Sequence, residues 1–411
     1  MEVVPRKRRP YSTLEKLEMK KTLVALAAIS AVSAFAQSSV TLSGNMDVAG
    51  VNYGGTMYGN KGTSFTTGYG TSSTSVINFI ATEDLGGGLK VTAKYGIDPR
   101  TLTNDGYAVT NNTRLDLTGA TTYAPSAIAT GLARDEAFVG IAGGFGEVRL
   151  GAPNALGLDV HGISSPLGTG IGSGYSLVGN STTMWQAVVQ TRYDRSVRYN
   201  TPTMNGLTGT VQYAPGGDEA AVQGASSTAY AARAIPNNRT YTELGLRYAN
   251  GPLNIGFVNV SRTAQTNPTG WLAMAASTSG LTSTFGYVAT KTNTLGVNYS
   301  MGATTLYYGW ANGDSLASTT TQTKAQGNRL AVKQTLGSMD LTAQFNTLKS
   351  TTSAGTTTTA KVSGIRLDNN LSKTAKVYLG YEYADSGGAA AATSTTGGSR
   401  TTTSIGLQKS F

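Results

Sequence analysis

The sequence contains no cysteine, one histidine and three tryptophans among 411 residues. Without cysteine the chain can form neither a disulfide framework nor a thiolate metal site. The single histidine, His161, excludes a histidine cluster for a transition metal, so we expect no metal and no cofactor. His161 lies in a glycine- and serine-rich stretch without a placed acid, which predicts a solvated side chain rather than a catalytic base, and no enzyme.

Charged residues are sparse, at 13% of the chain, and hydrophobic residues reach only 39%. The net charge is +10, from 32 lysines and arginines against 22 acids. After residue 36 no basic cluster is interleaved with aromatic residues, which argues against a nucleic-acid partner. There is also no later apolar run long enough to cross a bilayer as a helix.

The longest apolar stretch lies near the N-terminus. Residues 19–36 read MKKTLVALAAISAVSAFA, with two lysines before the apolar run and a small-residue AFA site after it. This order is typical of a cleaved secretory signal peptide. Residues 1–18 contain the basic run RKRR and precede the predicted natural start at Met19. The working protein is therefore predicted to span residues 37–411.

What the chain has in abundance is alternation of apolar and polar side chains. In residues 340–347 (DLTAQFNT), Leu341, Ala343 and Phe345 share one face, and polar residues occupy the other. A period of two is that of a β-strand with two unlike faces. Segments of about ten residues with this pattern recur from residue 40 to residue 411.

Short and long connections alternate between these segments. Seven tight turns rich in Gly, Asn and Pro separate eight longer stretches rich in Thr, Ser, Gly and Ala. The longer stretches are roughly 54–73, 99–133, 153–191, 215–239, 262–291, 312–326, 349–360 and 385–399. Fifteen connections imply sixteen strands, and sixteen strands leave room for an aqueous channel.

The pattern predicts an all-β fold, a 16-stranded antiparallel transmembrane β-barrel with short periplasmic turns and long extracellular loops. In such a barrel the apolar face of each strand meets lipid and the polar face meets water in the lumen. Arg149 alternates with Val148 and Leu150, and Arg198 alternates with Val197 and Tyr199. Both arginines are therefore expected in the lumen.

Five segments resemble the Gram-negative general porin family of the beta-proteobacterial type, and the resemblance spans the whole chain after the leader. They are SSVTLSGNMDVAG, ATEDLGGGLKVTAKYG, RDEAFVGIAGGFGEVRLG, RYDRSVRYNTPTMNGLTGTVQY and LDNNLSKTAKVYLGYEYAD. The resemblance implies a homotrimeric diffusion channel in which the third extracellular loop folds into the pore. It also implies that the terminal Phe411 is read by the barrel-assembly machinery. The further partners expected are outer-membrane lipid, lipopolysaccharide and small hydrophilic solutes.

The chain departs from this family in its basic residues. Val76 and Ile80 occupy lumen positions of the second strand where family members usually carry arginine. The family's Gly-Arg after the fifth strand is Gly151-Ala152, and its penultimate aromatic or histidine is Lys409. Because basic residues are lost, we expect only a weak preference for anions.

The candidate site is the narrowest part of the pore. Residues 153–191 are assigned as the inward-folded loop, mainly from the resemblance, and Arg134 matches a family arginine at the start of the fourth strand. The charges predicted at the constriction are Lys94, Arg134, Arg149, Asp159 and Arg198. A basic wall opposite an acidic loop would set a transverse field across the pore. In the alternative interpretation the cations pair with Glu136, Glu147 or Asp194 and only satisfy one another.

The predicted function is an outer-membrane porin for passive diffusion of small hydrophilic solutes and ions. A substrate-specific channel is an alternative, which a ladder of aromatic or arginine residues along the lumen would favour. A surface adhesin is a second alternative, which repeats of near-constant length would favour. The sequence shows no clear ladder and no such repeat.

Overall fold

The computed structural model describes fourteen stretches of the chain. These are residues 38–55, 64–69, 71–97, 133–175, 185, 188–189, 191–193, 195–215, 240–263, 289–316, 322–352, 355–385, 387 and 398–411. The predicted leader and most of the predicted loops 99–133, 215–239 and 262–291 lie outside the described residues.

Seventeen strand segments form one antiparallel sheet that closes on itself. They are β1 (Ser39–Gly55), β2 (Ser64–Tyr69), β3 (Val76–Gly86), β4 (Leu89–Ile97), β5 (Ala133–Gly143), β6 (Gly146–Ala152), β7 (Ser196–Asn200), β8 (Leu207–Ala214), β9 (Thr240–Asn250), β10 (Leu253–Thr263), β11 (Ala289–Met301), β12 (Thr304–Leu316), β13 (Gln322–Leu336), β14 (Met339–Thr352), β15 (Thr357–Asn370), β16 (Ala375–Asp385) and β17 (Ser399–Ser410). β2 and β3 pair with different halves of β1, so they are two pieces of one strand. The predicted 16-stranded antiparallel β-barrel is confirmed.

The two faces of the sheet differ as the alternation predicts. On β14, Phe345 is 45% exposed on the outside, whereas Gln344 and Asn346 are 4% and 0% exposed on the inside. On β13, Leu330 is 60% exposed and its neighbour Arg329 is fully buried. Apolar side chains outside and polar side chains inside suit a sheet with lipid around it and a polar lumen within it.

The last residue completes the closure of the sheet. The N–H of Phe411 donates to the carbonyl oxygen of Gly44 at 3.0 Å, and the N–H of Gly44 donates back at 2.9 Å. A side chain at position 44 would collide with the carbonyl oxygen of Val76 and lie 3.1 Å from the Phe411 ring. Glycine at this position therefore lets three stretches of backbone meet at the seam.

Three predicted loops are wrong in extent. β12 continues to Leu316 and β13 begins at Gln322, inside the predicted loop 312–326. β14 and β15 likewise shorten the predicted loop 349–360, and β2 lies within the predicted loop 54–73. Threonine-rich sequence looks like loop in isolation, but threonine has a high β propensity and neighbouring strands supply its hydrogen bonds.

One α-helix, α1 (Leu156–Ser164), is present among the described residues and follows β6. It contacts β9, β10, β11, β12 and β13. No helix in the described part of the chain has the length and apolar character needed to cross a membrane. We call residues 153–175, which contain α1, the inward segment.

Candidate functional site: the pore constriction

The helix α1 lies in a groove made by glycines on the lumen face. Gly256, Gly296 and Gly309 are neighbours across β10, β11 and β12. An added Cβ would collide with the carbonyl oxygen of Val160 at position 296, and would lie 2.5 Å from Ile163 Cδ1 at position 256. The missing side chains therefore allow the helix backbone to approach the sheet closely.

One face of α1 is apolar and turned towards this groove. Leu156, Val160 and Ile163 are 4%, 5% and 7% exposed. Their spacing of four and three residues places them on one side of a helix. Asp159 and Gly162 lie on the exposed side. The helix thus covers part of the lumen wall and presents a carboxylate to the remaining space.

The tip of the inward segment is fixed on the other side of the barrel. The N–H of Gly172 donates to Glu382 Oε2 on β16 at 2.7 Å. The N–H of Ile171 donates to the carbonyl oxygen of Thr71, between β2 and β3, also at 2.7 Å. The segment therefore extends across the lumen from β6 to β16, as expected for a loop folded into the pore.

The break between β2 and β3 is itself held by Asp47 on β1. This fully buried carboxylate accepts the N–H groups of Ser72 and Ser73 at 2.7 and 2.9 Å. It also accepts the Tyr378 hydroxyl at 2.6 Å. The buried hydrogen bonds keep the strand interrupted where the tip of the inward segment meets it.

Three of the predicted cations lie together in the lumen with acids beside them. The ion pairs are Lys94–Glu136 at 2.6 Å, Arg149–Glu147 at 2.9 Å and Arg198–Asp159 at 2.8 Å. Arg149 and Arg198 are direct neighbours across β6 and β7, so like charges face each other there. We call the five of these side chains that lie on strands the ion-pair wall: Lys94, Glu136, Glu147, Arg149 and Arg198.

The predicted cations differ in the acids with which they pair. Arg198 joins the wall to Asp159 of the inward segment, as the first interpretation expects. Lys94 and Arg149 pair with acids of the wall itself, as the alternative expects. Arg134 belongs to β5, but its side chain and residue Asp194 lie outside the described residues.

The aliphatic position singled out in the sequence lies next to this wall. Ile80 pairs with Lys94 across β3 and β4, whereas its neighbour Phe79 pairs with the outward Tyr95. Phe79 and Tyr95 are 45% and 42% exposed. The register therefore places Ile80 on the lumen face, beside a lysine, where it contributes no charge.

The expectation of a solvated His161 is wrong, because the side chain is 1% exposed. Its ring lies edge-on to Tyr175 at 4.8 Å and to Trp185 at 6.0 Å between centroids. Arg329 Nη1 lies 3.1 Å from His161 Nδ1, and since arginine only donates, Nδ1 accepts. His161 Nε2 then donates to the carbonyl oxygen of Gly168 at 3.0 Å. Burial and the Arg329 guanidinium hold the pKa of His161 well below its ordinary value, so the ring is neutral.

The sequence does not predict that two further charged residues of the lumen, Arg329 and Glu243, contact the inward segment. Arg329 is enclosed by Asn346, Ser164 and the Trp185 ring, whose centroid lies 4.1 Å from the guanidinium. Glu243 on β9 accepts the N–H of Leu156 and, at 3.1 Å, the Tyr193 hydroxyl. Burial raises the pKa of Tyr193 well above its ordinary value, so the hydroxyl keeps its proton and donates. Alternation alone places both charges in the lumen but does not indicate that the inward segment covers them.

Solved structures with a similar fold include porins and other outer-membrane proteins. The anion-selective porin from Comamonas acidovorans superposes with a TM-score of 0.65 at 19% identity, covering 91% of this chain and 100% of that one. OmpT of Vibrio cholerae gives 0.57 at 12% identity, covering 92% and 98%. OmpF of Salmonella typhi, in complex with daunomycin, gives 0.59 at 12% identity, covering 90% and 97%.

Comparison with curated protein sequences gives no significant match. A family model described as Gram-negative porin, by contrast, matches residues 22–389. The match extends over most of the barrel and includes the inward segment and the ion-pair wall. The chain belongs to the Gram-negative porin family and forms an outer-membrane channel.

Proposed function

We propose that this porin passes small hydrophilic solutes and ions by passive diffusion, with a weak preference for anions. The observation that carries the proposal is the ion-pair wall beside the inward segment. Its three cations are 11–24% exposed in their side chains, so water and solutes reach them. Each cation has a carboxylate within 3 Å, which reduces its field and makes the preference weak.

Selectivity of this kind needs only a water-filled constriction with charges in its wall. At physiological salt a charge is screened beyond about 8 Å, so charges at the narrowest point dominate. In this proposal the narrowest point lies where Asp159 of the inward segment and Arg198 of the wall approach to 2.8 Å. The porin from Comamonas acidovorans is named as anion-selective, and its similar fold supports the sign of the preference.

The proposed assembly is a homotrimer in the outer membrane, surrounded by lipid and lipopolysaccharide. A structure of OmpT of Vibrio cholerae is described as a trimer form, which supports this state. Export through the leader at 19–36, with insertion by the barrel-assembly machinery through Phe411, completes the proposal. Deleting Phe411 removes both hydrogen bonds to Gly44, so the yield of assembled barrel should fall.

A planar bilayer with purified protein under a salt gradient tests the proposal. Stepwise conductance is expected, with a small reversal potential of the sign for anion preference. A protein that inserts as a folded barrel yet gives no steps would overturn the channel. A reversal potential of the opposite sign would overturn the assignment of the ion-pair wall to selectivity.

A further inference from the structure

Two buried ionisable side chains in the lumen form no ion pair within 4 Å with a described residue. Glu243 on β9 and Arg329 on β13 are both 0% exposed. Glu243 is bonded to a backbone N–H and a tyrosine hydroxyl. Arg329 is bonded to neutral oxygens and to the neutral His161 ring. An isolated buried charge is costly, so the surroundings must compensate each of them.

The two charges lie at opposite ends of α1. Glu243 Oε2 accepts the N–H of Leu156, the first residue of the helix, at 2.5 Å. Ala155, which precedes it, has no side-chain oxygen to cap the helix. Arg329 Nη1 donates to the hydroxyl of Ser164, the last residue of the helix, at 3.1 Å. Its Nη2 donates to the carbonyl oxygen of Ser173, also at 3.1 Å.

The signs of the charges match the helix dipole. The N-terminus of a helix carries a partial positive charge and attracts an anion, and the C-terminus attracts a cation. A carboxylate of the barrel therefore faces the positive end of α1, and a guanidinium faces the negative end. If α1 were reversed or displaced by one turn, both charges would lose their compensation.

We propose that Glu243 and Arg329 are positioning residues that hold α1 by its two ends, and that protonation of His161 releases the Arg329 end. Because α1 carries Asp159 to the ion-pair wall, this hold sets the width and charge of the constriction. The proposal rests on the proposed channel function, since its measured quantity is the current through the pore.

At the Arg329 end of α1, acid acts through His161, the one acceptor of Arg329 that can titrate. His161 Nδ1 accepts from Arg329, and a proton on Nδ1 would remove the acceptor and place two cations in contact. The other groups around the ring are the Tyr175 and Trp185 rings and the Gly168 carbonyl oxygen. Gln344 and Asn346 of β14, which share this buried network, are neutral. Arg329 is thus the one charged side chain facing His161 in the described part of the chain.

The direction of the pH effect follows from the lowered pKa of His161. Its ordinary value is 6.5, and a displaced, hydrated ring regains that value. Above pH 6.5 the His161 ring is neutral whether it is buried or displaced, so Arg329 keeps its acceptor and α1 stays in place. Below it the displaced state binds the proton better, so the displaced fraction rises about tenfold per pH unit until the buried ring itself titrates.

Single-channel recordings at pH 7 and at steps down to pH 4 test this, with variants H161Q and R329M. Glutamine keeps a neutral acceptor and cannot titrate, so H161Q should lose the increase in current fluctuations that the native channel shows in acid. R329M should fluctuate already at pH 7. K333M is the matched control, because Lys333 lies on the same strand and pairs with Asp340 rather than with α1.

The outcomes separate this inference from the proposed function. A native channel that conducts, with H161Q retaining the full acid response, would overturn the role of His161. R329M behaving like K333M at pH 7 would overturn the hold at that end. If R329M does not assemble, two other variants replace it. R329K retains the charge but lacks the two Nη groups of the guanidinium, and E243Q retains a hydrogen-bond acceptor without the charge. Native-like fluctuations in E243Q would overturn the charge–dipole hold, and native-like fluctuations in R329K would overturn the need for both hydrogen bonds of the Arg329 guanidinium.

Discussion

Arginines line two sides of the lumen, and the two sides differ in how far these side chains are exposed. On the ion-pair wall, Arg149 and Arg198 retain 24% and 11% exposure of their side chains. On β13, Arg329 is fully buried, and on β15 and β17 the side chains of Arg366 and Arg400 are 7% and 8% exposed. The first set keeps some contact with water, although Arg198 also binds Asp159 of the inward segment, whereas the second set is almost wholly enclosed. In the proposed function we therefore assign selectivity only to the lumen arginines that water can reach.

The strongest test of this contrast removes a cation from the buried side. R400M should lower the free energy of unfolding by about 3–5 kcal/mol, because it leaves Glu382 buried without its partner at 2.9 Å. R149M on the ion-pair wall should cost at most about 1 kcal/mol. Urea unfolding of both variants in the same detergent gives the comparison, and equal losses would contradict it.

The next effect comes from filling the glycine groove. G296A adds a Cβ that collides with the carbonyl oxygen of Val160, so α1 must move, at a cost of about 1–3 kcal/mol. G162A on the exposed side of α1 meets no atom within 4 Å and should stabilise the helix by up to about 1 kcal/mol. Single-channel conductance should change in G296A alone. An unchanged conductance in G296A would show that α1 does not limit the pore.

A smaller effect is expected on selectivity. R149Q leaves Glu147 uncompensated, so the ratio of anion to cation permeability should fall by up to about fivefold, the equivalent of about 1 kcal/mol for two charges at 4 Å in water. The reversal potential under a salt gradient measures this change. The shift should shrink as the salt concentration rises, since salt screens exposed charges. A salt-independent shift would instead indicate a structural change.

The smallest effect is expected for a partly exposed ion pair that belongs neither to the ion-pair wall nor to the buried side. Lys333 and Asp340 lie 3.2 Å apart with side chains 36% and 16% exposed. K333M should change the free energy of unfolding by less than about 1 kcal/mol and leave the conductance unchanged. A larger loss of stability would mean that even exposed lumen pairs contribute to the barrel.

Much of the barrel can be predicted from alternation, because the order of apolar and polar residues within a strand shows which face is lipid-facing and which faces the lumen. Leu330 outward and Arg329 inward follow from their order in the sequence, and the exposures agree. The strand number likewise follows from the alternation of turns and loops. The interruption between β2 and β3 cannot be predicted from alternation. It depends on a hydrogen bond to Asp47, which lies 25 residues from Ser72 along the chain.

The burial of His161 could not be predicted from its own neighbourhood. A stretch rich in glycine and serine looks solvated, and the Arg329 that encloses the ring is 168 residues away. A signal did exist in other strands: Gly256, Gly296 and Gly309 occupy lumen positions in consecutive strands. Small residues in register on a lumen face predict that something packs there, even when its identity is unknown.

The seam between β1 and β17 has a consequence for the order of folding. Asn45 pairs with Ser410, so the contact that closes the barrel joins nearly the two ends of the chain. Contacts of such sequence separation form late, because the intervening loop must lose its entropy first. Until β17 arrives, β1 remains an open edge able to pair with another chain. The chain thus depends on protection from aggregation for the whole interval before its last strand is in place.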